Sequence, residues 1–290
     1  MMQIGIAIPQ THPDGQRIER YLRRAEALGF DAAWTIEQVV GTMPISEAVV
    51  TLAHAAAVTR RMSLGVSVLL AAQREPVHLA KMLSSIDVLS NGRLIVGVGL
   101  GQSSRLYGAF GLDDRGRAAR FEQNLEIMRR LWTEPRVTYE GRFARLRNVA
   151  MEPKPQRCPP IWFGGHAAPA LRRAVERGDG FMGAGSTPTG VFLDELATVR
   201  SMVGARRDFV IAKRLYVSCD DDLPAIRAWF GAFYGAPDLA DKVAVWGSAQ
   251  AVADAVRRLR DAGVNHVLLH TVTREEHQLE CLAAQVLSQR

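Results

Sequence analysis

The sequence predicts an α/β fold: a closed (β/α)8 barrel with insertion segments at its C-terminal face, formed as a single domain over residues 1–290. Three observations point there. Eight short apolar runs alternate with amphipathic helical patterns, the order that builds parallel strands joined by crossover helices. The runs are almost continuously apolar, as strands covered on both faces are. A unit of helix, glycine and strand recurs near the start, the middle and the end of the chain without detailed sequence identity. Eight such units in 290 residues suit a closed barrel better than an open doubly wound sheet, and a composition that is 48% hydrophobic supplies the core.

The first run, Ile4 to Ile8, reads as a buried strand. Ile18, Tyr21, Leu22, Ala25 and Leu28 then recur at helical spacing, and Gly29 stops that helix. The run FDAAWTI follows as the second strand. With strands near 3–9 and 31–37 assigned, the others fall near 63–70, 93–99, 160–164, 179–183, 209–217 and 264–270. Phe121, Leu125, Met128 and Trp132 form one face of the helix after strand four. LRRAVERGDGFMGAG repeats the helix–glycine–strand unit. So do Val252, Ala255, Val256, Leu259 and Ala262 with Gly263 and the strand VNHVLLH. Glu134 to Pro160, with five prolines, interrupts the alternation and is expected to insert at the barrel mouth. Arg105 to Arg117, carrying Tyr107 and Phe110, is expected as a second segment shaping the pocket.

Charge and cysteine content exclude several classes. The net charge is +6, and of 36 basic residues only Lys81, Lys154, Lys213 and Lys242 are lysines. The arginines are spread over helices along the whole chain, as at Arg17, Arg20, Arg23 and Arg24, and are not interleaved with stacking aromatics. That is a set of solvated helix faces, not a nucleic-acid footprint. Cys158, Cys219 and Cys281 make neither a disulfide framework nor a zinc pattern, which suits a reducing cytoplasm. The start MMQIGIAIPQ lacks the basic region of a signal peptide, and no stretch approaches the ~20 apolar residues of a membrane span.

In a barrel, chemistry is expected at the C-terminal ends of the strands. Those ends carry Gln10 and His12, Glu37 and Gln38, Leu70 to Gln73, Gln102 to Ser104, Gly164-Gly165-His166, Gly183-Ala184-Gly185-Ser186, and His270. The glycines of SNGRLIVGVGLGQ do not make a dinucleotide-binding turn. That turn needs G-x-G-x-x-G opening directly into a helix, whereas Gly97, Gly99 and Gly101 alternate and the next helical pattern starts about twenty residues later. They fit instead a strand end where a backbone or ligand approaches closely. FGGHAAPALRRAV and GAGSTPTGVF each lead small residues into a helix start, the arrangement that binds phosphate; tight turns are the plainer reading. No metal site is expected, because His266 and His270 lie about 13 Å apart on a strand and no other ligand spacing occurs. GVSVL around Ser67 is not a nucleophile elbow. His54 reads as structural. His270 either lines the site or caps a strand, and Glu37 either serves the site or satisfies a neighbouring loop.

The stretches LGFDAAWTIEQ, LGVSVLLAAQREPVHLAKMLSSIDVLSNGRLIVGVGLG, RFEQNLEIMRRLWTEPRVTYEGR and PPIWFGG together resemble the luciferase-like monooxygenase superfamily, barrel proteins that use FMN or the deazaflavin coenzyme F420. The resemblance covers nearly the whole chain, and LSNGRL before VGVG is its most specific part. It implies a cis peptide at Ser67-Val68 beneath the cofactor ring, approach of the cofactor at Gly99 and Gly101, and phosphate binding by Gly164, Gly165 and His166 with Gly183, Ala184, Gly185 and Ser186. It also implies that Glu37, Gln38 and Gln102 are the catalytic polar groups. Many members carry an acidic residue and then His after strand two, where this chain has Glu37-Gln38, and sugar-phosphate-oxidising deazaflavin members carry Glu where Gln102 stands. Glutamine cannot titrate, so the departures speak against sugar-phosphate oxidation while leaving the cofactor site intact. The VSVLL segment and the basic, arginine-rich character favour coenzyme F420 and hydride transfer to or from a small organic substrate. The alternatives are an FMN-dependent monooxygenase served by a flavin reductase, a non-catalytic flavin-binding protein, and, outside the family, a Schiff-base lyase using Lys213. A cytoplasmic homodimer is the expected assembly.

Overall fold

The structure, a computed structural model, describes residues 2–9, 14–101 and 104–289. Eight parallel strands close into a barrel: β1 (Gln3–Ala7), β2 (Ala32–Thr35), β3 (Ser63–Val66), β4 (Leu94–Val98), β7 (Ile161–Gly164), β8 (Gly180–Gly183), β9 (Val210–Val217) and β11 (His266–Thr271). They pair in that order around the ring, and β11 returns to β1 to close it. Helices α1 (Gly15–Leu28), α2 (Ala48–Val58), α3 (Pro76–Leu89), α4 (Arg117–Thr133), α5 (Ala168–Arg177), α6 (Thr189–Val203), α9 (Ala249–Asp261) and α10 (Glu275–Gln285) form the outer layer.

The recurring helix–glycine–strand unit has a mechanical reason. In α1, Ile18, Tyr21, Leu22 and Ala25 are buried, and Gly29 ends the helix at φ 95°, a left-handed conformation that costs glycine nothing. Two residues on, Asp31 accepts the Ile4 amide through Oδ2 at 2.6 Å while its own amide donates to Ile4 O at 2.9 Å. The same reciprocal clamp joins Asp179 to Ile161 (2.8 Å both ways) and Asn265 to Ile211 (2.8 Å both ways). Each acidic or amide side chain thus satisfies the first free donor of the neighbouring strand at the N-terminal end of the barrel, where an orphaned buried amide would cost about 1–3 kcal/mol.

Two apolar layers result. Ala7, Ala32, Trp34, Ile95, Trp162, Met182, Ala212 and Leu268 fill the lumen, and a larger cluster lies between barrel and helices. Deep in the lumen the Trp34 Nε1–H donates to His266 Nε2 at 3.0 Å, which leaves the ring proton on Nδ1, facing Gln3 Oε1 at 3.2 Å. Trp34 and Trp162 pack at 5.4 Å with their rings tilted by 34°, and both meet His266 edge-on at 5.3 Å. Burial lowers the His266 pKa to about 3, so the plug is neutral.

The segment around 134–160 is a two-stranded antiparallel ribbon, β5 (Val137–Glu140) and β6 (Arg145–Val149). It climbs the outside of α4. Lys154 Nζ at its base donates to Leu131 O and Glu134 O (2.7 and 2.6 Å). Its tip reaches the start of α4, where the Phe143 amide donates to Gln123 Oε1 at 3.1 Å and Arg120 lies 4.4 Å from the Phe143 ring. Only the tip therefore reaches the C-terminal face. A second insertion does cover that face: α7 (Leu223–Tyr234), α8 (Ala240–Val243) and β10 (Ala244–Val245), the last paired with the end of β9. Trp229 and Phe230 of α7 pack on Tyr216, roofing the β9–β11 side of the mouth. No helix among the described residues is long and apolar enough to cross a membrane.

Candidate functional site

The mouth is built from the last inward-facing positions of the strands. Three of these are glycines, and their missing side chains make room for residues after β3. A Cβ on Gly99 would stand 2.6 Å from Val68 Cγ2, one on Gly164 2.8 Å from Val68 Cγ1, and one on Gly101 3.0 Å from Leu70. Val68 is thus wedged between β4 and β7. The close approach expected at Gly99 and Gly101 is made by the chain itself, which lays an apolar wall across this side of the mouth. The Ser67–Val68 peptide is cis.

Glu37, at the end of β2, is fully engaged. Its side chain is 1% exposed; Oε2 accepts the Leu70 amide and Oε1 accepts Arg74, through Nε at 3.1 Å and through Nη2. Arg74 also reaches Glu47 at 2.6 Å. Burial pushes the Glu37 carboxyl above its usual range against the pull of Arg74. Both carboxylate oxygens are spent on fastening β2 to the loop after β3, the neighbouring-loop role. Gln38 is different: its Oε1 is buried without a hydrogen-bond partner, and the side chain folds over Gly41. Gln102, like Gln10, His12 and Ser103, lies outside the described residues.

The two loops expected to hold phosphate stand side by side at the starts of α5 and α6. Neither helix has a side-chain cap at its N-terminus, nor do α4, α7 and α10, whereas Asp14, Glu47, Glu75 and Ser248 cap α1, α2, α3 and α9. Amides at the starts of α5 and α6 remain without a capping side chain. His166 is exposed and Arg173 is taken by Glu122 at 2.8 Å. Beneath the second loop lies Lys213. Period-two alternation turns it outward from β9 towards α6, away from the lumen, so it has no access to a substrate in the mouth and the Schiff-base reading loses its geometry. Its Nζ donates to Ala184 O and, at 2.8 Å, to Thr187 O, tying down the loop Gly183-Ala184-Gly185-Ser186 from below. A Cβ on Gly183 would stand 2.3 Å from Phe192 and 3.1 Å from Lys213 Cδ. Burial lowers the Lys213 pKa to about 7 and raises that of nearby Glu195 to about 7.

The residue that sequence reasoning missed is Arg214, the inward neighbour of Lys213. It is 8% exposed. Nη1 donates to Ser67 O at 2.7 Å and Nη2 to the Tyr234 hydroxyl at 3.3 Å, while Nε is buried without a partner. Two adjacent cations inside an otherwise apolar strand are the sequence signal: alternation sends one to each face, and neither can be solvated. His270, two inward positions above His266 on β11, packs against Tyr216 at 4.8 Å and Trp229 at 5.5 Å with a buried, unpartnered Nδ1. Burial and then Arg214 hold it well below its usual pKa, so it is neutral. Among the described residues no group of His, Cys, Asp and Glu is placed to hold a metal ion. A basic groove at the opposite end of the barrel, between Arg129, Arg157, Arg177 and Arg206, has its arginines largely paired with Glu122, Asp179 and Asp208.

Known proteins share this architecture. An F420-dependent secondary alcohol dehydrogenase, solved in complex with an F420–acetone adduct, superposes with a TM-score of 0.84 at 18% identity over 100% of this chain and 99% of its own. A monooxygenase from Streptomyces bottropensis gives 0.80 at 24% identity over 99% of both chains. In sequence, the F420-dependent glucose-6-phosphate dehydrogenase of Intrasporangium calvum is 31% identical over 185 residues, 60% of this chain and 55% of that one. The chain spans only about half to three fifths of the length of such curated relatives. The luciferase-like monooxygenase family model matches residues 2–242, from β1 through β9 and α7, and by that match the chain belongs to this family.

Proposed function

We propose that the protein is an oxidoreductase that uses coenzyme F420 to move hydride to or from a small organic substrate. The observation that carries this reading is the 31% identity to an F420-dependent dehydrogenase. The mouth supports it with an apolar wall at Val68 and Leu70, two adjacent helix starts without side-chain caps, and a buried guanidinium with an orphaned nitrogen. These features fit a flat ring carrying a phosphate. Gly164 to His166 and Gly183 to Ser186 would take the phosphate, with Lys213 holding the second loop in shape. Ser67 and Val68 would lie against the ring, with Gly99 and Gly101 behind them. When bound, the deazaflavin supplies a carbon that accepts or donates hydride.

The protein's own residues orient and exclude water. Gln38 and Gln102 are amides that can position a substrate oxygen by hydrogen bonds but cannot take its proton. Glu37 holds the mouth in shape through Arg74, as a positioning residue. With His270 held neutral, the described part of the mouth has no strong base, which favours substrates other than sugar phosphates.

Equilibrium binding of the purified protein to coenzyme F420 and to FMN tests the reading. Micromolar or tighter F420 with weak FMN is expected. The reverse preference would make it an FMN monooxygenase needing a reductase, and binding of neither would remove the enzyme assignment.

A further inference from the structure

We propose that Cys281 and Cys219 form a redox modification site: Cys281 is a thiol that reacts with hydroperoxides, and Cys219 then closes a disulfide that fastens the foot of the roof to α10. The site lies outside the cofactor mouth and does not depend on what the mouth binds.

The fold brings together what the sequence keeps apart. Cys219 follows β9 and stands just ahead of α7, the helix that roofs the mouth. Cys281 sits on α10, about one turn beyond His277 and Gln278. Gln278 fixes the two segments against each other. Its Oε1 accepts the Cys219 amide at 2.7 Å, and its Nε2 donates to Ser218 Oγ at 3.2 Å and to Asp220 Oδ2 at 2.8 Å. Arg274, at the start of the same helix, adds an ion pair to Asp220 Oδ2 at 3.1 Å. The sulfurs are thereby held side by side, with the Cys281 thiol close enough to act on that of Cys219 by charge and by a side-chain hydrogen bond. Both residues are half-buried, so a small oxidant can reach them. Cys158 is exposed in the groove at the opposite end of the barrel and can pair with neither.

The two thiols are not equivalent. His277 Nε2 lies 3.6 Å from Cys281 Sγ and 3.3 Å from Asp220 Oδ1. It is placed to take the Cys281 proton, and the N–H so formed donates to the Asp220 carboxylate. A thiol with a base in reach, and that base held by a third group, is the arrangement that makes a nucleophile. Cys219 is the opposite case. Burial, then the charges of Cys281 and Asp220, push its thiol up to about 12, so it stays protonated. One sulfur is poised to attack first and the other to resolve, the pairing that thiol redox sensors use.

The chemistry balances with a hydroperoxide as oxidant. The Cys281 thiolate attacks the O–O bond. An S–O bond forms, the O–O bond breaks, and the leaving oxygen takes the proton from His277 as water or an alcohol. Cys219 Sγ then attacks the sulfenic acid on Cys281. The S–S bond forms, the S–O bond breaks, and hydroxide leaves with the Cys219 proton as water. The thiols lose two electrons and two protons, and the hydroperoxide is reduced by the same two electrons.

The test treats the reduced protein with hydrogen peroxide and maps its cysteines by peptide mass spectrometry, with and without dimedone to trap sulfenic acid. A Cys219–Cys281 disulfide is expected, with Cys281 consumed about tenfold faster than Cys158. C219S should accumulate the dimedone adduct on Cys281, and C281S should leave Cys219 a free thiol. H277Q should slow the consumption of Cys281 about tenfold while Cys158 keeps its rate. Oxidation that falls first on Cys158, a rate at Cys281 indifferent to H277Q, or a sulfenic acid that never passes to Cys219 overturns the proposal. If a variant does not fold, the wild-type map still decides. The assay contains no F420, so each outcome leaves the cofactor reading as it was.

Discussion

Two histidines on one face of one strand have opposite surroundings. His266 sits at the N-terminal end of the lumen with both ring nitrogens partnered, edge-on to two mutually tilted tryptophans and above a rim where Asp31, Asp179 and Asn265 each clamp a neighbouring strand. His270 sits at the mouth with a free Nδ1, near a guanidinium that has no anion, and Gln38 beyond the end of β2 keeps an oxygen that has no donor. The plug end has spent the Trp34 N–H and both nitrogens of His266 on its own stability, and leaves the Trp162 indole N–H buried without a partner. The mouth keeps its polar groups in reserve, and reserve polar groups in a buried mouth are what a ligand completes.

The comparison makes substitutions at the two ends separable. Trp34→Ala, in the plug, should cost about 3–5 kcal/mol in chemical denaturation, with cofactor affinity unchanged in the fraction that stays folded. A loss of affinity as large as the loss of stability would merge the two ends. At the mouth, Arg74→Met leaves Glu37 buried without its cation, a loss of about 3 kcal/mol. Without Arg74 the folded-state pKa of Glu37 rises further, so the folded protein holds a proton that the unfolded chain has released. Stability of the variant should therefore recover between pH 8 and pH 5, and an equal loss at both values would show that the pair is not a charged one.

Acid probes the plug. The folded pKa of His266 is lowered to about 3, so between there and the unfolded value near 6.5 the unfolded chain binds the extra proton and stability falls as pH falls. At pH 5 this amounts to about 2 kcal/mol, and His266→Gln should remove that part of the pH slope. Gly99→Ala puts a methyl group against Val68 and should cost about 1–3 kcal/mol; Val68→Ala in the same chain should return most of it. Additive losses in the double variant would mean that the wedge is not where the strain lies. Smallest is Asp179→Ala, about 1 kcal/mol for one clamp of three, with Asp179→Asn retaining most of the difference.

Much of this contrast could be read from the chain alone. The eight strands were visible because continuous apolar runs and helix-stopping glycines are local signals, and Asp31, Asp179 and Asn265 recur two, one and two residues after Gly29, Gly178 and Gly263. The β5–β6 ribbon was not legible. Its strands are half polar and lie on a helix, so neither apolar period nor turn spacing marks them. Nor was the roof formed by α7. At the site, the glycines were found but their tenant was not: Val68 and Leu70 fill the space from thirty residues upstream. Glu37 was singled out correctly as a strand-end carboxylate, while its partner Arg74 depends on how β2 and the loop after β3 converge. Arg214 escaped because charge in a strand was weighed only for Lys213, the one of the two cations that faces away.

Closure through β11 has a consequence for how the protein is made. That strand begins at His266 and pairs with β1 on one side and β9 on the other. At about 5–20 residues per second, a ribosome exposes β1 well before the strand that seals it emerges. For that interval the nascent barrel presents two raw edges rich in valine, isoleucine and leucine, each a template for pairing with a neighbouring chain. Yield in a producing cell should therefore track chaperone capacity during translation, and slower growth at lower temperature should raise it.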